Sequence, residues 1–169
     1  MTLRESIRCI GCGGIVPDVA GPTHAYMLAS PGCWQTYTEL LARASSGGMS
    51  HVDAYAAQHP GGADGDLRQR RSVAVHLTAL CLGIEFGAGR LDALRSRLSA
   101  TVLPRLGLAE WPLLTAPESP GAITVADVAA RSDEQLAVAV REWSSAVWDA
   151  WRPQHDTVRL WARTAIGAS

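Results

Sequence analysis

Residues 132–161 read SDEQLAVAVREWSSAVWDAWRPQHDTVRLW, and this stretch decides the fold class. Its apolar residues recur every three or four positions, as they do on one face of an α-helix; the stripe comprises Leu136, Val140, Trp143, Val147 and Trp151. Ser132 followed by Gln135 is a helix-capping pattern. Pro153 must kink or break the helix, because proline lacks the backbone donor. The pattern then resumes at Val158, Trp161 and Ala165. We therefore predict a long amphipathic helix interrupted near Pro153.

Helical patterns also account for the preceding segments. The stretch from Leu67 to about Phe86 is apolar on nearly all sides in its centre, which predicts a central buried helix. Further helix starts and short helices are expected at Ser30-Pro31, at Ser50 with Asp53, over Leu91 to Leu98, and at Thr124 with Asp127. The chain is predicted to be mainly α, a helical bundle in a single domain, 1–169. Within it, 1–34 forms a zinc-pinned loop subregion and 35–169 the helical core.

Composition disfavours several classes of protein. The 169 residues carry a formal net charge of −1, whereas a general nucleic-acid binder needs a concentrated positive charge to neutralise phosphates. The local cluster of Arg68, Arg70 and Arg71 is expected to be a solvated helix start rather than a phosphate site. No apolar run approaches the ~20 residues needed to cross a bilayer, and the first ten residues lack a signal-like stretch. We expect a cytoplasmic protein without membrane or nucleic-acid partners.

A group of cysteine and histidine residues near the N-terminus predicts a metal site. Cys9 and Cys12, followed by a glycine, have the spacing of a zinc knuckle, in which two thiolates bind one ion. A closed tetrahedral site needs two more ligands, and His24 and Cys33 are the nearest in sequence. Cys33 lies in the first turn of a predicted helix, where free amides favour a thiolate. A redox dithiol and another metal or cluster are the alternatives. The fourth cysteine, Cys81, is predicted to be an inert core thiol.

Six segments of the chain resemble a bacterial family known only as a domain of unknown function. These segments are CIGCGG (9–14), GPTHAYMLASPGCW (21–34), VDAYAAQHPG (52–61), VAVHL (73–77), GAITVADV (121–128) and WSSAVWDAWRPQHDTVRLW (143–161). The resemblance covers most of the chain and supports the motifs as units. It implies no activity, because the family has none assigned.

Three histidines outside the knuckle suggest a second site. His76 lies in an apolar helix and needs a polar partner, His59 ends a short helix, and His155 follows the break at Pro153. Together with Asp53 they are candidates for an open metal site or a ligand pocket. Each placement also has a structural explanation, and a satisfied core histidine is the simpler interpretation of His76. Trp148, which lies off the main stripe, is the tryptophan expected to line a pocket or contact a partner.

Two functions follow from these patterns. The first is a zinc-binding helical protein with a second, histidine-lined site for a metal or small molecule, with catalysis left open. The alternative is a non-catalytic, zinc-stabilised module whose exposed tryptophan face binds another protein. A second metal or a deep histidine-lined cavity would favour the first, and a broad apolar patch or a dimer the second. The sequence indicates neither a substrate nor an oligomeric state.

Overall fold

The computed structural model describes residues 5–44, 50–61 and 67–167. Within these ranges, two short antiparallel strands, β1 (Ser6–Arg8) and β2 (Ile15–Pro17), precede seven α-helices. The helices are α1 (Pro31–Arg43), α2 (His51–Gln58), α3 (Leu67–Phe86), α4 (Leu91–Arg105), α5 (Val125–Ala129), α6 (Asp133–Ala150) and α7 (His155–Ile166). The mainly helical fold class is thus confirmed. The helix end expected at residues 45–48 and the loop expected at 63–66 lie outside the described residues.

The predicted central helix is α3. It packs against α2, α4, α6 and α7, and its residues Leu77, Leu80 and Leu82 are fully buried. Helix α1 instead packs against α5 and β2. Helix α2 contacts α3 and α6, and the residue after its end, His59, accepts a backbone hydrogen bond from Leu28. It therefore connects the segment before α1 to the central helices. None of the helices in the described ranges is both long and apolar enough to cross a membrane.

The break at Pro153 takes the form predicted. Helix α6 ends at Ala150, a single 3-10 turn spans Arg152–Gln154, and α7 begins at His155. The apolar stripe from Leu136 to Trp151 is buried, and Trp161 of α7 is only 1% exposed. This tryptophan meets Trp111 edge to face at 4.8 Å between ring centroids. Trp111 therefore anchors the irregular connection between α4 and α5 in the core.

Helix α4 is longer than predicted. It continues to Arg105 instead of ending near Leu98, because Val102 and Leu103 extend its buried face by another turn. Pro104 lies inside that last turn, where its missing N–H removes only one helical hydrogen bond. The predicted end near Leu98 was therefore about two turns too early.

Candidate metal centre

The hairpin between β1 and β2 positions the first two cysteines. The Cys9 N–H donates to the Gly14 carbonyl at 2.8 Å, and the Gly13 N–H donates to the Cys9 carbonyl at 3.0 Å, which closes a tight turn around Cys12. Gly11 sits where a side chain would not fit, since a Cβ there would lie 1.9 Å from the Leu28 carbonyl oxygen. Gly11, between the two cysteines, thus allows the turn to pack closely against the backbone at Leu28.

The third cysteine comes from α1. Cys33 lies in the first turn of this helix, as the sequence predicted, and its side chain is fully buried. The Tyr55 hydroxyl donates to its Sγ at 3.6 Å. Ser30 precedes the helix, but its Oγ accepts the Ile10 N–H at 3.1 Å and makes no capping bond to α1. The serine therefore ties the turn of the hairpin to the start of the helix.

The fourth member of the group is His59, which follows the last residue of α2. Its Nδ1–H donates to the Tyr55 carbonyl at 2.7 Å, so in the neutral ring Nε2 carries the lone pair that a metal requires. Nε2 lies 3.3 Å from Cys33 Sγ and 3.8 Å from Cys9 Sγ. The ligand atoms of Cys9, Cys12, Cys33 and His59 all lie within 4.8 Å of one another.

These distances fit a four-coordinate metal. A tetrahedron with metal–sulfur bonds of about 2.3 Å has sulfur–sulfur edges of about 3.8 Å. The Cys12 and Cys33 sulfurs are 3.8 Å apart. Backbone amides support the thiolates: Gly11 and Ser30 donate to Cys9 Sγ at 3.5 Å, and Gly14 donates to Cys12 Sγ at 3.4 Å. All four residues are buried, so the group forms a closed Cys3His site that could hold a metal ion.

The pKa shifts of the cysteines and the histidine indicate that this cluster suits a bound cation. Hydrogen bonds from Cys12 and then Cys33 lower the pKa of Cys9, whereas contact with Cys12 and Cys9, together with burial, raises the pKa of Cys33. Burial lowers the pKa of His59, but hydrogen bonds with Cys12 and Cys9 outweigh it and raise the value to about 9. Three buried sulfurs therefore cannot all ionise without a nearby positive charge, which a divalent metal supplies.

His24 lies outside the group, although the sequence suggested it as a ligand. Its Nδ1 accepts the Tyr26 N–H at 3.2 Å, and its ring lies 5.3 Å from that of Trp34. The structure puts His59 in the position for which His24 was predicted, because α2 brings its C-terminal end against the hairpin. The signal was the His-Pro pair at the end of a short helix, whose histidine was predicted to belong to a second, separate site.

The second predicted site is divided among three places. His59 belongs to the metal centre. His76 pairs with Asp53, whose Oδ1 accepts from His76 Nδ1 at 2.8 Å. The carboxylate is fully buried and also accepts from Arg95, Nε to Oδ1 at 2.7 Å and Nη2 to Oδ2 at 3.0 Å. Asp53 and His76 thus lie together as predicted, and Arg95, which no sequence pattern indicated, joins them.

His155 lies elsewhere, at the junction of α6 and α7. Its Nε2–H donates to the Trp148 carbonyl at 2.8 Å, and its ring stacks on the Trp148 indole at 3.8 Å. Both rings line an open cavity of about 580 Å³. This placement corrects the expectation of a single pocket for His59, His76 and His155. In the parts of the chain that the structure describes, only the Cys3His group brings three or more metal-binding side chains together.

Comparison with known proteins gives a family without a function. The model of the "Family of unknown function (DUF5946)" matches residues 7–152, which include all four members of the Cys3His group. No curated protein and no solved structure matches the chain at a significant level.

Proposed function

Because the chain belongs to this family of unknown function, we propose its role from the geometry of the metal centre: it binds one zinc ion through Cys9, Cys12, Cys33 and His59. Thiolate and imidazole ligands in a tetrahedral arrangement are typical of zinc. The single observation that carries the proposal is the close approach of the four ligand atoms, within 4.8 Å of one another.

The zinc has a structural role in this proposal. Catalytic zinc sites usually have three protein ligands and leave a position open for water, whereas structural sites are closed by four. Here Cys9 and Cys12 are each 3% exposed, and Cys33 and His59 are fully buried. The ion would join the hairpin, the start of α1 and the end of α2. Binding worth on the order of 10 kcal/mol, as in other structural zinc sites, would hold the N-terminal region on the helical core.

Elemental analysis of protein purified without added metal tests this function. We expect one zinc per chain, and strong loss of zinc in the Cys12→Ser and His59→Ala variants. His24→Ala is the matched control, because it removes an imidazole that lies outside the group, and it should keep its zinc. Zinc retained by His59→Ala but lost by His24→Ala would refute the ligand set. Absence of zinc, together with the visible absorption of an iron–sulfur cluster, would show that the bound metal is not zinc.

A further inference from the structure

An open groove lies beside His76 and Arg95, the two residues that bind Asp53, and it is separate from the metal centre. It has a volume of about 470 Å³, and its walls come from α3, from α4 and from Tyr26 in the segment before α1. A groove of this size fits a small organic molecule, since ligand pockets commonly measure about 300 to 1,000 Å³. None of the four residues of the Cys3His group lines it.

The walls of the groove carry an excess of positive charge. Arg68, Arg71 and Arg95 line it together with His76, and its lining includes no carboxylate. Asp53, which is fully buried, accepts hydrogen bonds from Arg95 and His76. The neighbouring Arg70 pairs instead with Glu110 at 3.0 Å. Among the described residues, Arg71 therefore has no acidic side chain that neutralises it.

Several donors in the groove have no partner among the described residues. Arg71 is exposed and makes no hydrogen bond or ion pair with any of them. Arg95 binds Asp53 through Nε and Nη2, which leaves Nη1 unengaged. His76 donates to the same carboxylate through Nδ1–H, and in the imidazolium form, which pairs with an anion, its Nε2–H is a second donor without a partner among the described residues. Asp53 thus fixes the orientation of two groups before any ligand arrives, which lowers the entropy cost of binding.

The groove also has a less polar side. The Tyr26 ring lies 5.4 Å from the Arg68 guanidinium carbon, and Val75 lies on the same groove wall as His76. Ser72 and Ser96 add hydroxyl groups to the lining. Guanidinium groups recognise phosphate through paired, charge-assisted hydrogen bonds, and an aromatic ring provides a flat surface for an organic group. A phosphate ion alone would occupy only a small part of this volume.

We propose that this groove binds a phosphorylated small molecule, with the phosphate on Arg71, Arg95 and His76 and the organic part along Tyr26 and Val75. The arginines that the sequence analysis assigned to a solvated helix start take on a second role: Arg68 and Arg71 line the groove, whereas Arg70 does not. The proposal does not depend on the identity of the metal.

NMR titration of the full-length, metal-loaded protein tests this inference. The probes are phenyl phosphate, an aromatic phosphate ester, and inorganic phosphate, with the His76 ring signals as the readout. We expect saturable shifts and tighter binding of the ester. Arg71→Gln should weaken ester binding about tenfold, the loss expected for one charge-assisted interaction. The matched control is Arg141→Gln, which removes an equal charge from an exposed site on α6 outside the groove, and it should change binding less than about twofold.

Two results would overturn the proposal. If the two substitutions weakened ester binding equally, binding would depend only on the net charge of the protein. Equal affinity for the ester and for inorganic phosphate, or shifts that never saturate, would mean that the groove does not recognise a phosphorylated molecule. Because Arg71 is exposed and has no partner among the described residues, its substitution should leave the fold intact, and the unchanged amide spectrum would verify this.

Discussion

His59 makes two different contacts with one ring. Nδ1 satisfies a carbonyl at the end of α2, and Nε2 faces the cysteine sulfurs. The first contact is local and caps the end of α2, whereas the second depends on tertiary structure. Spacing predicted Cys9, Cys12 and Cys33 because all three are local to the knuckle or to a helix start. It could not predict a ligand that is 26 residues beyond Cys33 and reaches the site only when α2 folds back.

Glu85 provides a residue-scale test of electrostatics. Two hydrogen bonds from Arg159, each 2.8 Å long, and one from Trp148 Nε1 at 2.9 Å stabilise its carboxylate. The Arg159 guanidinium, as the main cause, holds the pKa of Glu85 below its usual range. A carboxylate with a lowered pKa stabilises the fold above its unfolded pKa of about 4.3, and this contribution is lost as pH falls through the lowered value.

Glu85→Gln should therefore have a lower Tm than the unaltered chain at neutral pH, and the difference should shrink as the solution is made acidic below about pH 4. Thermal unfolding followed by circular dichroism from pH 7 to pH 3 measures it. Glu142→Gln, a change of an exposed glutamate on α6, serves as the control and should show a smaller difference at neutral pH. A Glu85→Gln deficit that stays constant across this range would contradict the electrostatic explanation.

At the scale of elements, the sequence predicted helix starts better than the contacts of the capping side chains. The capping box, in which the side chains of Thr124 and Asp127 each bond to the other residue's backbone N–H, forms as predicted. At Ser50 and Asp53 it does not, because Asp53 turns inward to Arg95 and His76 while Ser50 Oγ bonds to Ser144 Oγ at 2.7 Å. A capping residue can have a stronger tertiary partner, and a single sequence does not show which partner it takes.

Gln58 connects three elements from the end of α2. Its amide nitrogen donates to the Pro120 and Ile123 carbonyls at 3.1 and 2.7 Å, and its Oε1 accepts from Trp143 Nε1 at 3.0 Å. The side chain is fully buried, so these groups have little access to water. Gln58 therefore holds the irregular connection before α5 against α6. Neither periodicity nor turn signals indicated this role.

Gln58→Leu should lower the free energy of unfolding by about 3 kcal/mol, because it leaves up to three buried polar groups without partners. Urea denaturation measures this loss. Gln35→Leu, on the exposed surface of α1, is the matched control and should change stability by less than about 0.5 kcal/mol. Equal effects of the two substitutions would show that the buried network contributes nothing specific.

At the scale of the whole molecule, hydrophobic periodicity predicted a mainly helical fold with α3 at its centre. It could not predict how α1 and α2 lie against the hairpin, because that arrangement depends on contacts distant in sequence. Gly32 is one such contact: a Cβ there would lie 1.9 Å from the Pro17 carbonyl oxygen. The helix start and the second strand pack so closely that only glycine fits between them.

Removal of the metal tests how far the centre supports the rest of the fold. Helices α4, α6 and α7 all pack on α3, and none of the four ligands lies on these four helices. After chelation we expect most of the far-ultraviolet helical signal to remain, while hydrogen exchange accelerates over residues 9–33 and at the end of α2. Acid should have the same effect, because protons compete with a bound metal ion for the thiolates and for His59.

The Cys12→Ser variant is the control for this experiment, since adding chelator to it should cause no further change. Cooperative loss of all helical signal on chelation of the unaltered chain would contradict the prediction. It would show that the centre is required by the entire domain and not by its N-terminal part alone.

The order of the four ligands along the chain also has a consequence for biosynthesis. A ribosome makes the three cysteines before His59, and the hairpin and α1 leave the exit tunnel ahead of α2. The nascent chain therefore holds three thiols that lack their fourth partner until α2 emerges. Once it does, a metal ion can bind while α5 to α7 are still being translated. The first third of the polypeptide can thus be cross-linked cotranslationally, before the core that it later covers exists.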